Sequence, residues 1–444
     1  MAQRKELLKA HAFTTQRLVA ALVDRDPDNP TPPLRRLGLS TFISVLLAGV
    51  MVGIFALYGY FSKEGTPSWA VEKAVIIDTD SGVVFFTTDG KTLFPATNIT
   101  SARLITGNGG DPTKVTTKSL ATAPRGERRG IATAPAQLPA SSTMGAFPLR
   151  VCSLPTTETA SRHTVLDFKA PAATSDNAIG LDVGNRTYIV VNGVAHLVPN
   201  KSLLGNATAL KGTEALLRSL PQGQEIKPFT DSTKGNKATR GRNEVGTIVY
   251  TGDQTDKTTW QYYIQLSDGY SAITYLDAMV NNPTPSAISV DIVSANRSEL
   301  HQNSATPLVP MGPVTFSSAD TTKTTVCATY AADSENPRIT IGDTVAGPDG
   351  DDPPPPAVST YDRVTTSPGG GALLRSIGTP ADGATFLIWQ GHKYGIPDLE
   401  SRTALGYGDD KPAIVAVQPA LLALIPDGMP PGITLDKVHA NRPA

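Results

Sequence analysis

The nearest approach to a catalytic motif in these 444 residues is Gly90-Lys91-Thr92. It fits the end of the phosphate loop G-x-x-x-x-G-K-[ST], in which backbone amides and a lysine converge on nucleotide phosphates. The first glycine of that pattern is missing, because Phe85 stands there inside a strand-like run. The triplet closes a hairpin turn and opens no helix, so its amides have no reason to converge on a phosphate. Pro368-Gly369-Gly370-Gly371 has no lysine after it and is expected to be a flexible turn into a strand. The six histidines, His11, His163, His196, His301, His392 and His439, include no HExxH pair, and the cysteines have no CxxC spacing. There is no G-x-S-x-G elbow. The expectation is a protein without catalytic residues, cofactor or metal. His196 and His392 fall in or beside turns; contact with an external polymer is one use for them, and exposed loop histidines are the commoner outcome. The two cysteines, Cys152 and Cys327, suit a single disulfide in an oxidising compartment, the alternative being two thiols buried as small hydrophobes.

The elements that would carry such a protein start with a membrane span. Residues 37–61, LGLSTFISVLLAGVMVGIFALYGYF, are an uncharged run of 25. At about 1.5 Å per residue that run exceeds the roughly 30 Å hydrocarbon core of a bilayer. Seven Lys/Arg precede it, with Arg35 and Arg36 abutting it, whereas 62–81 carry only Lys63 and Lys73. The positive-inside rule then makes the N-terminus cytoplasmic and the bulk of the chain extracytoplasmic. A cleaved signal peptide is the competing reading, but it has a shorter apolar region and a small-residue cleavage site. In the leader, residues 1–36, Leu18, Val19, Leu22 and Val23 paint one stripe on a short helix, suited to docking on a partner or to lying on headgroups. DRDPDNPTPPLRR, 24–36, reads as an extended linker.

Beyond the span, 62–444 hold many turns and short elements, as 39 Gly and 36 Pro require. Four stretches share a strand, a polar-Gly turn and a second strand, with turns at Asp89-Gly90, Asn192-Gly193, Asp268-Gly269 and Gln390-Gly391. In three of them a proline (Pro95, Pro199, Pro397) follows and introduces a helical stretch. The turn glycines are 103, 76 and 122 residues apart, too uneven for a stacked solenoid. Four degenerate hairpin/helix lobes are therefore expected, at approximately 70–110, 185–220, 258–284 and 383–410, around a central β-sheet domain from 112–184 and 285–380. The fold class is mainly β with short helices (α+β). GPDGDDPPPPAVSTYD from Gly347 and DSTKGNKATRGRNE from Asp231 are expected to be mobile surface loops. With 39 basic against 40 acidic residues, no global field attracts nucleic acid.

Several stretches resemble the EccB subunits of the actinobacterial type VII (ESX) secretion system: LFPATNITSARLITG, SLATAPRGERRGIATAPAQLPA, YYIQLSDGYSAIT, PGGGALLRSIG, HKYGIPDLESRTALGYG and VQPALLALIPDGMPPGITLD. The resemblance covers nearly the whole chain. It implies an inner-membrane core-complex subunit working with EccC, EccD, EccE and the mycosin protease, and self-associating through its outer domain. That domain would be elongated, propeller-like and pseudo-twofold, with 411–444 packing back on the first lobe. The implied role is structural: to hold protomers together outside the membrane during export of small helical proteins. A peptidoglycan-binding anchor that grips the cell wall is the alternative, and an NTPase the third choice.

Overall fold

The computed structural model describes residues 2–23, 33–61, 68–156, 161–168, 170–171, 178–298, 314–332, 334–345, 360–408 and 412–444. The linker residues 24–32, His301 and most of the acidic Pro-rich segment from Gly347 lie outside them. The chain divides into two compact units, Met1–Ala70 and Val71–Ala444.

The first unit has a helix Ala2–Val23 and a second helix Pro33–Phe61. Within the latter, Leu39–Tyr58 has a mean hydropathy of 2.3 and none of it is buried by protein. A helix apolar all round needs a nonpolar solvent, which a bilayer supplies. The expected linker is shortened: 33–36 are helical, because proline in a first helical turn lacks only an N–H that would be unsatisfied anyway.

The second unit holds five small mixed sheets, four of them built on one plan. In the first lobe, strands Ala74–Asp78, Val84–Thr87 and Phe94–Pro95 pair antiparallel in succession. Helix Ile99–Thr106 then brings Thr113–Val115 back parallel to the first strand, and a second helix, Thr117–Leu120, follows. The same order recurs from Ile179–Val183, Ile248–Thr251 and Ala372–Ser376, with returning strands Leu210–Lys211, Ser286–Ala287 and Ile414–Val417.

Local chemistry explains the plan. At Asn192-Gly193 and Gln390-Gly391 both turn residues have positive φ (50° and 73°; 49° and 84°), the backbone that matches a two-residue hairpin to strand twist. The first helix of each lobe is capped where the chain leaves the third strand. Asn98, Asn200, Thr274 and Asp398 accept from the amides of Ser101, Ser202, Asp277 and Ser401, satisfying donors the helix cannot.

Each lobe closes with an extended segment lying parallel to its third strand. In lobes 1, 2 and 4 it is Pro-x-Gly: Pro124-Arg125-Gly126, Pro221-Gln222-Gly223 and Pro426-Asp427-Gly428. The proline carbonyl accepts from Leu93, Ala195 or Lys393 (2.9, 2.9 and 2.8 Å), and the glycine N–H donates back to the carbonyl of that same residue, at 2.9 Å in each case. In lobe 3, Asn296-Arg297-Ser298 makes the same two bonds with Tyr270 (2.7 and 2.9 Å). The glycine is needed because a ring on the third strand lies on it. A Cβ would sit 2.1 Å from Phe94, 2.2 Å from His196 or 2.4 Å from Tyr394. Lobe 3 has serines at the corresponding positions, Ser271 and Ser298.

The repeats thus span 74–126, 179–223, 248–298 and 372–428, longer than the turn-centred ranges 70–110, 185–220, 258–284 and 383–410. The ends of 112–184 and 285–380 belong to lobes. Among the described residues the central sheet comprises Leu149–Pro155, Arg162–Asp167, Val326–Tyr330, Arg338–Ile341 and Arg363–Thr365. The segment from Asp231 is held on lobe 3: Thr239 N donates to Ser267 O (2.7 Å), Gln265 Nε2 to Arg240 O (2.8 Å) and Tyr270 OH to Asn243 Oδ1 (2.6 Å).

Candidate functional site

The central sheet joins distant parts of the sequence. Leu149–Pro155 pairs antiparallel with Val326–Tyr330 and places Cys152 opposite Cys327, where the two form a disulfide. Period-2 alternation divides the side chains between two faces. Leu149, Val151, Val326 and Ala328 enter the main core with residues of lobes 2 and 4, whereas the cystine clusters separately with Leu154 and Val165. The sheet also carries buried charge. Arg150 bridges Asp167 (3.3 Å) and lies 3.6 Å from Asp343. Arg162 donates to Ser153 Oγ and to the carbonyls of Ser153, Thr322 and Thr324, and burial lowers its pKa to about 10.

The lobes join in pairs. Lobes 1 and 4 share one core, in which Phe86, Leu104 and Ile105 meet Leu387, Tyr394 and Leu405. Arg103 Nη1 donates to Leu405 O at 3.1 Å across the joint. Lobes 2 and 3 share another, in which Leu203 and Leu204 meet Leu276 and Met279. Of the 411–444 segment, 414–428 complete lobe 4, and the contact with lobe 1 comes from the end of the chain. Helix Lys437–Ala440 packs on Ile99–Thr106, and Gly130 N donates to Arg442 O while Ala444 N donates to Arg128 O.

The chemistry-bearing residues are dispersed. At Gly90-Lys91-Thr92 the amides of Lys91 and Thr92 both donate to Asp89 Oδ1 at 2.9 Å, and these bonds hold the Asp89 carboxyl well below its ordinary pKa. An aspartate therefore already fills the position a phosphate would take in this turn. His11 is exposed on the first helix, His163 is buried with Nδ1 3.9 Å from Asp362, His392 is exposed on its hairpin, and His439 Nδ1 lies 2.6 Å from Asp436. Among the described residues no three His, Cys, Asp or Glu are grouped to hold a metal. The second half of the Pro368–Gly371 turn is packed, where a flexible turn was expected: Gly371 O accepts from Gly145 N at 2.6 Å, and a Cβ on Gly370 would meet Thr143 O at 2.3 Å, while Pro368 and Gly369 are exposed.

His196 corrects the sequence expectation most plainly. It is 1% exposed, with Gly223 on its ring and Nδ1 2.9 Å from Gln224 O, so it cannot reach an external polymer. Burial lowers its pKa below the usual 6.5. The unfolded chain then takes up a proton that the folded lobe refuses. This contribution to stability is present above about pH 6.5 and is lost as pH falls below it. His196→Phe, which copies Phe94 of lobe 1, should flatten the fall in unfolding midpoint between pH 7.5 and 5.5. An unchanged pH profile would assign that fall to other groups.

An apolar helix that protein leaves unburied and a four-lobed unit tied across its central sheet by a cystine define a membrane-anchored, multi-lobed subunit. A family model described as "Type VII secretion system ESX-1, transport TM domain B" matches residues 2–441, and the chain belongs to this family, the EccB subunits of type VII secretion. It is 38% identical over 97 residues to the ESX-2 secretion system ATPase EccB2 of Mycobacterium tuberculosis, an alignment spanning 22% of this chain and 19% of that protein. Its fold is similar to a chain of the intact ESX-5 inner membrane complex (TM-score 0.60, 21% identity, 99% of this chain and 95% of that one). It is also similar to a chain of the EccB3 dimer from the ESX-3 core complex (TM-score 0.59, 21% identity, 83% and 100%).

Proposed function

We propose that this chain is a structural subunit of a type VII secretion core complex in the inner membrane. Its leader is cytoplasmic and its lobes are extracytoplasmic, where they hold protomers together while small helical proteins are exported. The observation that carries the reading is the combination of one unburied apolar helix with lobes that share cores in pairs around a cystine-linked central sheet: an anchor joined to a multi-lobed outer unit. The side of the membrane is supported by the Lys/Arg excess before the span and by a disulfide beyond it. Shared cores between lobes 1 and 4 and between 2 and 3 support a pseudo-twofold, propeller-like outer domain. The EccB3 dimer among the similar structures supports self-association through that domain. EccC, EccD, EccE and the mycosin protease are the proposed partners. Nucleotide hydrolysis is left out of the proposal, since the amides that would hold a phosphate are bonded to Asp89.

The test is affinity purification of the full-length protein, mildly solubilised from its native membrane, with mass spectrometry and native sizing. EccC, EccD and EccE recovered in one large particle is the expected result. A solitary protein that cosediments with purified wall would overturn it in favour of a peptidoglycan anchor.

A further inference from the structure

In a chain whose charges nearly cancel, one edge of lobe 1 is strongly positive. The closing segment 121–130 and the terminal segment 440–444 carry Arg125, Arg128, Arg129 and Arg442 against a single acid, Glu127, whereas Lys437 stands beside Asp436. The fold puts these segments side by side. Residues 124–129 run along the third strand of lobe 1, and 442–444 pair with 128–130. The guanidinium groups have few internal partners. Arg125 stacks 4.5 Å over Phe85 and donates once, to Leu120 O. Arg129 stacks 5.3 Å over Phe94, and its buried Nε has no hydrogen-bond partner. Arg125, Arg128 and Arg442 are exposed, and among the described residues none of these arginines or Arg129 forms an ion pair. Stacking on a ring fixes a guanidinium plane while leaving its N–H edge available, the presentation suited to phosphate oxygens.

We propose that this arginine edge binds the anionic phosphate headgroups of the membrane in which the chain is anchored. One observation favours lipid over other polyanions: only twelve residues, 62–73, separate the apolar helix from the first strand of lobe 1. Even fully extended they reach about 40 Å, so a lipid surface is within the reach of that tether. Headgroup contact at this edge would restrain lobe 1, the lobe that receives the chain from the span.

The full chain is reconstituted in nanodiscs of phosphatidylcholine alone or with one third phosphatidylglycerol, the latter carrying a headgroup photo-crosslinker, and adducts are mapped by mass spectrometry. Adducts should concentrate in 119–130 and 437–444 in the anionic discs. At roughly 1 kcal/mol per basic residue near a charged surface, R125Q/R128Q/R442Q should cut their yield at least tenfold, while the matching lysine variant retains it. Arg129 is left intact because it packs on Phe94. Adducts spread evenly over the lobes, or yields unaffected by the glutamine variant while the lysine variant behaves alike, would overturn the proposal. So would inorganic pyrophosphate or a soluble anionic glycan abolishing adducts at micromolar concentration, which would make the edge a site for a free anion or for wall polymer.

Discussion

Replacing Cys152 and Cys327 together by alanine should lower the unfolding free energy of the outer unit by about 4–5 kcal/mol, the largest effect of any change considered for this chain. The bond closes a sequence separation of 175 residues, within which lobes 2 and 3 both lie. In the folded state it adds little that the backbone has not arranged, since the strands on either side are already in register from Leu149 opposite Tyr330 to Ser153 opposite Val326. Its stabilisation comes from the unfolded chain, whose conformational freedom a closure of that length restricts. Both sulfurs belong to residues with 0% exposure, so a reductant should reach them only after unfolding. The measurement is a urea titration of the full chain in micelles, followed by tryptophan fluorescence, with and without reductant and for the double-alanine variant. Dithiothreitol added to folded protein should leave the midpoint in place at first, whereas protein refolded after reduction should match the variant. Equal midpoints for variant and wild type would show that pairing of the central strands suffices to hold the sheet.

What the sequence displayed of this architecture was its turns, because they are chemically extreme. Gly90, Gly193, Gly269 and Gly391 mark four hairpins, and all four adopt positive φ. The apolar span and the cysteines were legible for the same reason. The returning strands were not: Leu210–Lys211 and Ser286–Ala287 are two residues each, too short for any alternation to register. Nor were the first strands of lobes 2 and 3, Ile179–Val183 and Ile248–Thr251, which are buried throughout and so lack the alternation of a half-exposed strand. The burial of His196 is not legible, because a position three residues after a turn glycine carries no sign that Gly223, 27 residues further on, covers it. Once the repeat is known, the signal is visible: Pro-x-Gly occurs at the same structural position in three of four lobes. As tripeptides these are ordinary turn sequences. Their meaning depends on a ring in a strand that is distant in sequence.

That ring-on-glycine contact yields the second large effect. Gly428→Ala places a methyl 2.4 Å from Cε1 and Cζ of Tyr394, a ring that is 8% exposed in the core shared by lobes 1 and 4. The segment cannot withdraw without breaking the bonds from Lys393 N to Pro426 O and from Gly428 N to Lys393 O, so the added carbon is met by strain, about 2–3 kcal/mol at the upper end of overpacking. Tyr394→Ser alone removes a large core side chain and should be destabilising by a similar or larger amount, about 3–5 kcal/mol. Lobe 3, however, has the Ser271 and Ser298 pair at these positions while keeping both backbone bonds. With serine at 394 there is no ring for the methyl to meet, so Gly428→Ala should then be nearly neutral. The coupling free energy from a double-mutant cycle, read from urea midpoints, should therefore be about 2 kcal/mol. Additive losses would mean that Gly428 serves its own backbone conformation and that the ring is incidental. Strong coupling would make ring and glycine a single unit of the repeat, and the same cycle at Phe94 with Gly126 should then give the same answer in lobe 1.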